Sequence, residues 1–508
     1  MTRAMLFRPL LPGFLLVLIG VPALHAQGTA GFFGTTTNTP FEISVNNERV
    51  VRLEPGTATE GPNVILGWSG NGVAMGVVGA AICGGGDPDR TGSPEPNRVE
   101  GDYGTVGGGL GNVAAGSWST VSGGNRNKAN ATYSTVGGGL VNEARAAYST
   151  VGGGGGNRAT ADYSTVGGGR GNVAIGSWSI ISGGDNNDAN ADYATIGGGL
   201  GNVAGEYSST VGGGSNNEAT AMWSTVGGGR VNEANADYAT VGGGDSNTAR
   251  AIYATVGGGD SNTASGNYAT VSGGVSNTAS GVVATVAGGQ FNAARGDWSF
   301  AAGWNAKANH QGSFVWADRS RTGETDTLAT SGGHQFLVRS AGGVTFYSNS
   351  SESVGVVLNP GAGAWSTASD RTQKTAVEMV DPQAVLRRLA EIEIATWRYK
   401  DEAPGIRHMG PMAQDFYAAF GLGADERHIV TVDADGVALA AIQGLYAVNQ
   451  ALQEQSRRHQ AKIAALEAEL TTLRVGAAAT EARLAALEAT LGSRAPASQA
   501  GTASGVNR

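Results

Sequence analysis

A chain of 508 residues leaves room for three or more domains. Its 84 glycines far exceed average usage, but the repeat period is 15 residues rather than three, which excludes collagen. A net charge of -9 without a long basic run argues against a nucleic-acid partner, and the single cysteine, Cys83, excludes an internal disulfide framework.

Residues 1–26 read as a signal peptide. Arg3 and Arg8 charge the start, a short apolar stretch runs over 10–21, and Leu24-His25-Ala26 precedes a cut before Gln27. The apolar run is too short and too broken by proline to span a bilayer comfortably, the alternative being an uncleaved anchor. The expectation is therefore an exported chain, secreted or at a cell surface, with no integral membrane anchor. Residues 27–63 form a predicted β cap. In it Phe41, Ile43 and Val45 alternate, Asn46-Asn47 can turn, and Val51 and Leu53 return as a hairpin. Cys83 lies in a strand-like phrase and is expected to be a small buried hydrophobe, with an interchain disulfide as the alternative. The turn-rich residues 87–96 read as a loop inserted in the first coil.

Residues 64–312 are predicted to be a β-solenoid. Their core phrase is aromatic, Ser or Ala, Thr, Val, Gly-rich run, two variable residues, Asn, any residue, Ala. The Val or Ile recurs from Val106 to Val286 in unbroken steps of 15. Asn follows six residues later, from Asn112 to Asn292, and Ala two residues after that. Fixed-period self-similarity signals a solenoid. Fifteen residues reach roughly 50 Å fully extended, too little for a helix pair and enough for two short strands with two turns. Tyr-Ser-Thr-Val reads as a strand with Val on one face and the aromatic and Thr on the other. The Asn is expected at a turn, bonding its own backbone. The interior offers mostly Val, Ala and Gly, so a lone coil buries little area against its chain entropy, and coils are expected to associate as an oligomer. A monomeric β-helix with a solvated aromatic stripe is the alternative.

The phrase decays after Trp298, and residues 313–364 read as a β neck. Helical spacing covers 382–399, entering a strand near Trp397. Residues 445–491 can be written as heptads. One seam position runs Leu445, Leu452, His459, Leu466, Leu473, Thr480 and Leu487; the other runs Asn449, Ser456, Ile463, Leu470, Ala477, Leu484 and Leu491. That pattern predicts a coiled coil in which Asn449, Ser456 and His459 lower stability and set register. The Ser/Ala/Gly-rich tail, 492–508, is expected to be disordered.

The repeat phrase over roughly 63–312 resembles the heads of trimeric autotransporter adhesins, the YadA-like left-handed β-roll. The resemblance implies a homotrimer of parallel β-rolls with a binding surface for a host-surface or glycan ligand. Such adhesins end in a membrane-spanning β-barrel, whereas this chain closes on Gly-Val-Asn-Arg without alternating strands, so self-anchoring is not expected. Three further motifs lie in 365–463: Trp365-Ser-Thr-Ala-Ser-Asp-Arg-Thr-Gln-Lys374, Arg407-His-Met-Gly-Pro-Met-Ala-Gln-Asp415 and Ala440-Ala-Ile-Gln-Gly-Leu445. Together they are similar to the peptidase S74 family, the intramolecular chaperone of phage endosialidases and tail spikes. The resemblance implies an α+β domain that helps three chains assemble and then cuts itself off before its serine. It places the scissile bond at Ala368–Ser369, with Ser369 as nucleophile and Lys374 as its partner. The family often has Arg three residues after the Ser; here Arg371 comes two after.

The chemistry stands beside the resemblance. A serine hydroxyl can take the acyl group of the preceding residue from nitrogen, and water can open the resulting ester. The hydroxyl needs a base, and lysine serves only when neutral, which burial or a nearby cation promotes. Two competing functions carry a sequence signal. A polysaccharide-cleaving spike enzyme would need paired carboxylates, and the acids Asp102, Asp162, Asp192, Glu206, Glu218 and Asp237 occupy variable positions that read as solvated turns. An ice-binding solenoid would use the column from Thr105 to Thr285, broken at Ile180. No cofactor or metal is expected.

Overall fold

The computed structural model describes residues 34–57, 59–88, 92–321 and 326–493. The signal-peptide reading at 1–26 and residues 494–508 of the tail lie outside the described residues. The chain divides into two units, residues 1–342 and 343–508.

The first unit begins with a hairpin of β1 (Phe41–Val45) and β2 (Glu48–Glu54), in which Phe41 faces Leu53 and Ile43 faces Val51. Asn46 and Asn47 both have positive φ, 54° and 64°. Two left-handed residues make the turn whose twist suits a two-residue hairpin. Strand β2 then pairs antiparallel with β3 (Asn63–Leu66), which is the first rung of a solenoid of about 17 turns over residues 64–317.

Each regular coil adds two two-residue strands. Thr-Val pairs stack in register, Val106 on Val121 on Val136, and a second ladder stacks Ala114 on Ala129 on Ala144. A third column of single parallel bridges runs from Leu110 through Asn125 to Gln290. This third contact line is invisible in the sequence because its residues vary from Leu to Arg to Asp: only the backbone takes part. The Val and Ala columns are wholly buried, and so is the small residue two before each Val, which explains why that position is Ser, Ala or Gly.

Two local expectations change. The aromatic residue is not in the strand. Every one from Tyr103 to Trp298 has φ between 53° and 61°, and the strand is only Thr-Val or its equivalent. A left-handed residue with a bulky side chain costs about 1–2 kcal/mol. The rings offset this by stacking in a column, centroid to centroid 4.0 Å at Tyr163–Trp178 and 4.7 Å at Tyr148–Tyr163, and each such pair is worth about 0.5–1.5 kcal/mol. Ser208 and Val283 keep the same positive φ without a ring, so the coil and not the aromatic dictates the turn. The column breaks at Ser208, where Tyr207 meets Tyr193 and Trp223 edge-on.

Nor does the repeated Asn form the turn. The left-handed residue there is its predecessor, as with Arg126, Val141 and Asn216. The Asn itself points inward at 0% exposure for Asn112 and at nearly every equivalent. Asn112 Nδ2 donates to the Gly108 carbonyl at 2.8 Å and to the Gly124 carbonyl of the next coil at 2.9 Å, while its Oδ1 accepts the Asn127 amide at 2.9 Å. The same three bonds recur along the column, for instance at Asn217 and Asn262. In an interior of Val and Ala, the Asn ladder gives partners to the Gly108-type carbonyl and to the Asn amide of the next coil, and adds a second bond to the Gly124-type carbonyl, which already accepts the Leu110 amide. The ladder ends at Asn292, whose Oδ1 accepts the Ala306 amide; Asn305 has φ 52° and donates instead to the Asp326 carbonyl.

Cys83 lies in its predicted strand but is exposed rather than buried, because Ile82 takes the inward place. Past the regular coils the first ladder continues through Phe300, Phe314 and Phe336, whose rings stack 4.8 and 4.7 Å apart.

The second unit opens with a three-stranded antiparallel sheet of Val344–Tyr347, Gly355–Leu358 and Ser366–Thr367. Three helices follow, α1 (Pro382–Glu391), α2 (Ala413–Phe420) and α3 (Thr431–Gly492). Between α1 and α2, Ala395–Trp397 pairs antiparallel with His408–Gly410. Helix α1 starts on Asp381, whose carboxylate accepts the Gln383 amide, with Pro382 at its first position. It packs against α3 where Val437, Ala441 and Gly444 are buried. Beyond that contact the heptad leucines of α3, including Leu452, Leu466 and Leu473, stand exposed on the single chain. Among the described residues no helix is long and apolar enough to cross a membrane.

Candidate functional site

Ser366–Thr367 is the edge strand of the second unit's sheet, and Ala368 still donates its amide to the Gly355 carbonyl at 3.4 Å. The chain therefore leaves the sheet at the bond between Ala368 and Ser369. Asp370 then caps a short 3-10 turn, Arg371–Gln373, by accepting the Thr372 amide at 2.9 Å. The Lys374 amide closes the turn on the Arg371 carbonyl at 3.2 Å. The turn folds Lys374 back onto Ser369, and the lysine Nζ donates to the serine Oγ at 2.6 Å. Both predicted site residues are thus in direct contact, and Ala368, Ser369 and Lys374 are all exposed.

Sequence reasoning missed Asp370. The hydrogen bond from the Thr372 backbone, and then that from its hydroxyl, holds the Asp370 carboxyl below its ordinary range, so it is an anion that organises the turn. Its signal was present: an Asp two residues before the amide it caps is a common turn opener.

A second polar pair lies on the hairpin. His408 Nε2 bonds the Glu402 carboxylate at 2.9 Å, and its ring centroid is 4.8 Å from that of Trp397. The His408 contact, followed by the Tyr399 amide, holds Glu402 below the usual carboxylate range. Arg407 Nη2 donates to the Thr396 carbonyl at 3.1 Å and to its hydroxyl. The Arg-His pair of the sequence motif therefore ties the two strands together, and the Ala-Gln pair that follows opens α2, whose Phe416 is buried.

Four of the six solenoid acids have structural work. Asp102, Asp162, Asp192 and Asp237 each accept a backbone amide from the preceding coil, those of Val78, Ala147, Ser177 and Met222. Among the described residues no group of three or more His, Cys, Asp or Glu could hold a metal ion.

Residues 369–421 match the Peptidase S74 family, chaperone of endosialidase. The S74 match begins on Ser369 itself and ends on Gly421, the left-handed residue that terminates α2. It therefore spans the Ser369–Lys374 turn, α1, the Trp397–His408 hairpin and α2. S74 domains assist trimer formation, and an S74 segment behind a β-solenoid fits a tail-fibre-like trimeric protein. No curated protein matches the chain.

Proposed function

We propose that this is an exported, adhesin-like homotrimeric fibre whose S74 segment guides assembly and then releases itself by cutting between Ala368 and Ser369. The observation that carries the reading is the 2.6 Å contact between Lys374 Nζ and Ser369 Oγ, directly after the bond to be cut. Neutral Lys374 takes the hydroxyl proton as Ser369 Oγ attacks the Ala368 carbonyl carbon. The tetrahedral adduct collapses by breaking the Ala368–Ser369 C–N bond, and the lysine ammonium returns the proton to the departing Ser369 nitrogen. An ester now joins Ala368 to Ser369 Oγ. One water hydrolyses it, leaving an Ala368 carboxylate and a free Ser369 hydroxyl and amine.

A protonated lysine donates to the hydroxyl and cannot accept from it. Both groups are open to water in the single chain, so the reaction waits for copies to close around them, and burial then favours the neutral amine. Cutting would follow correct assembly. The α3 seams of three copies would zip together, and the released fibre would present a host-surface or glycan-binding face without an integral membrane anchor. Intact-mass measurement of the expressed full chain tests the site. Two products dividing at Ala368 are expected, with Ser369→Ala and Lys374→Ala both remaining uncut. A wild-type chain that assembles and stays whole, or a Ser369→Ala chain that divides, refutes the proposal.

A further inference from the structure

The three outward columns of the solenoid differ in charge. From the aromatic to the third Gly, residues 103–109 and their twelve successors contain no charged side chain. Their outward residues are a wall of Tyr and Trp, a row of Thr, and bare glycine backbone, with the rings between 40% and 56% exposed. The other two columns carry the charge. Lys128, Glu143, Arg158 and Asp188 flank the inward Ala residues, and Arg170 pairs with Asp185 along the bridge column. Within the 103–109 stretch two positions face inward, most of the glycines are held by positive φ or close backbone approach and the rings stack, so the Thr column is the one free throughout to carry charge. Its twelve Thr and Ile180 include no ionic residue, as a face buried between proteins requires, because an unpaired charge there is costly.

The same line continues into the Phe300, Phe314 and Phe336 stack, where Phe336 is 69% exposed in the single chain. A water-facing Thr row would not turn into a ladder of phenylalanines. The geometry points to this neutral Thr-Val face as the surface along which copies of the same chain pack in the fibre. That assignment rests on the oligomeric reading above. Identical chains in parallel register would set Thr row beside Thr row and Phe beside Phe, with glycine columns allowing close backbone approach. Thirteen rungs at about 4.8 Å and four outward residues at roughly 3.3 Å give a strip on the order of 60 by 13 Å, or ~800 Å² per chain. In a trimer two neighbours share the strip, so each contact takes about half of the ~800 Å² per partner of a standard stable interface, and the Phe300–Phe336 rungs lengthen it further.

Matched lysine pairs in the full chain, read by sedimentation equilibrium, test the face. Thr255→Lys with Thr270→Lys charges the neutral face, while Thr248→Lys with Thr263→Lys charges the Ala-ladder face of the same coils. The first pair is expected to weaken association at least tenfold with its β circular dichroism intact, and the second to leave the mass unchanged. Equal masses for both pairs, or dissociation by the second alone, overturn the assignment while leaving the oligomer standing. A monomeric wild type overturns the oligomeric reading as well, and thermal hysteresis would then mark the neutral face as ice-facing. Should the first pair fail to fold, Cys83 decides on the wild-type chain, since it is exposed in the outward register of this face. A maleimide is expected to label Cys83 after dissociation and not in the assembled oligomer, and an assembled oligomer whose Cys83 labels fully refutes the packing.

Discussion

Asn216 and Asn217 are adjacent and chemically identical, and their replacement should have very different effects. Asn217 Nδ2 donates to the carbonyls of Gly213 and Gly229 at 2.8 and 2.9 Å, and its Oδ1 accepts the Asn232 amide at 3.0 Å in a fully buried bond. Asn217→Ala strands that amide at about 1–3 kcal/mol and removes three further hydrogen bonds worth up to roughly 1 kcal/mol each, although the Gly229 carbonyl keeps the Ser215 amide and Asn232 Nδ2 keeps the Gly228 and Gly244 carbonyls. The expected loss is about 3–5 kcal/mol for the coils around it. Asn216 is exposed, with φ 53°, at a place where other coils carry Gly. Asn216→Gly keeps that conformation and should change stability by no more than about 0.5 kcal/mol. Because a solenoid couples mainly nearest neighbours, the damage should be local. Native-state hydrogen exchange reads it directly: at tenfold per 1.4 kcal/mol, the Asn232 amide should exchange roughly 100- to 4,000-fold faster in Asn217→Ala. In Asn216→Gly it should stay within about threefold of wild type. A folded Asn217→Ala chain whose Asn232 amide exchanges at the wild-type rate would refute the claim that the Asn ladder holds the coils together.

Other expectations concern the turn, the helices and the cleavage chemistry. A Cβ on Gly229, at φ 90°, would fall on the Gly244 carbonyl oxygen far inside van der Waals distance, so Gly229→Ala should lower the denaturation midpoint by an amount equivalent to at least ~2 kcal/mol. Gly444 lets α3 lie against the Pro382 carbonyl, and Gly444→Leu should part α1 from α3 at a cost of roughly 1–3 kcal/mol, seen as early loss of α1 in limited proteolysis. Lys374→Arg keeps the positive charge but never offers a neutral base, so intact mass should show an uncut chain; cutting at the wild-type rate would exclude Lys374 as the base. The Asp370 carboxyl is depressed, so its support for the turn is present above the ordinary Asp range and is lost only as pH falls through the lowered folded value. Protection of the Thr372 amide should accordingly persist through neutral and mildly acid pH, then vanish in stronger acid, and it should be absent at every pH in Asp370→Ala.

The sequence alone determined the solenoid. A 15-residue phrase with one recurring inward Val or Ile leaves a chain few ways to bury that residue other than stacking each copy on the last. It also carried the hairpin at Asn46-Asn47 and, through the Ser-Asp…Lys and Arg-His…Ala-Gln motifs, the S74 segment. The 2.6 Å approach of Lys374 to Ser369 was legible only as a spacing; it takes the Asp370-capped turn to convert five residues of separation into contact. What lay beyond the sequence was the use made of each repeated residue. Asn is a good turn former and the aromatic a good strand former, so local propensity assigned them to a turn and a strand. The coil reverses both roles. Buried amides and carbonyls between rungs need a side chain that both donates and accepts, which only an inward Asn supplies there, and rings one rung apart gain enough by stacking to hold a left-handed backbone. Both terms arise between residues 15 apart, so they exist only once the coils are stacked.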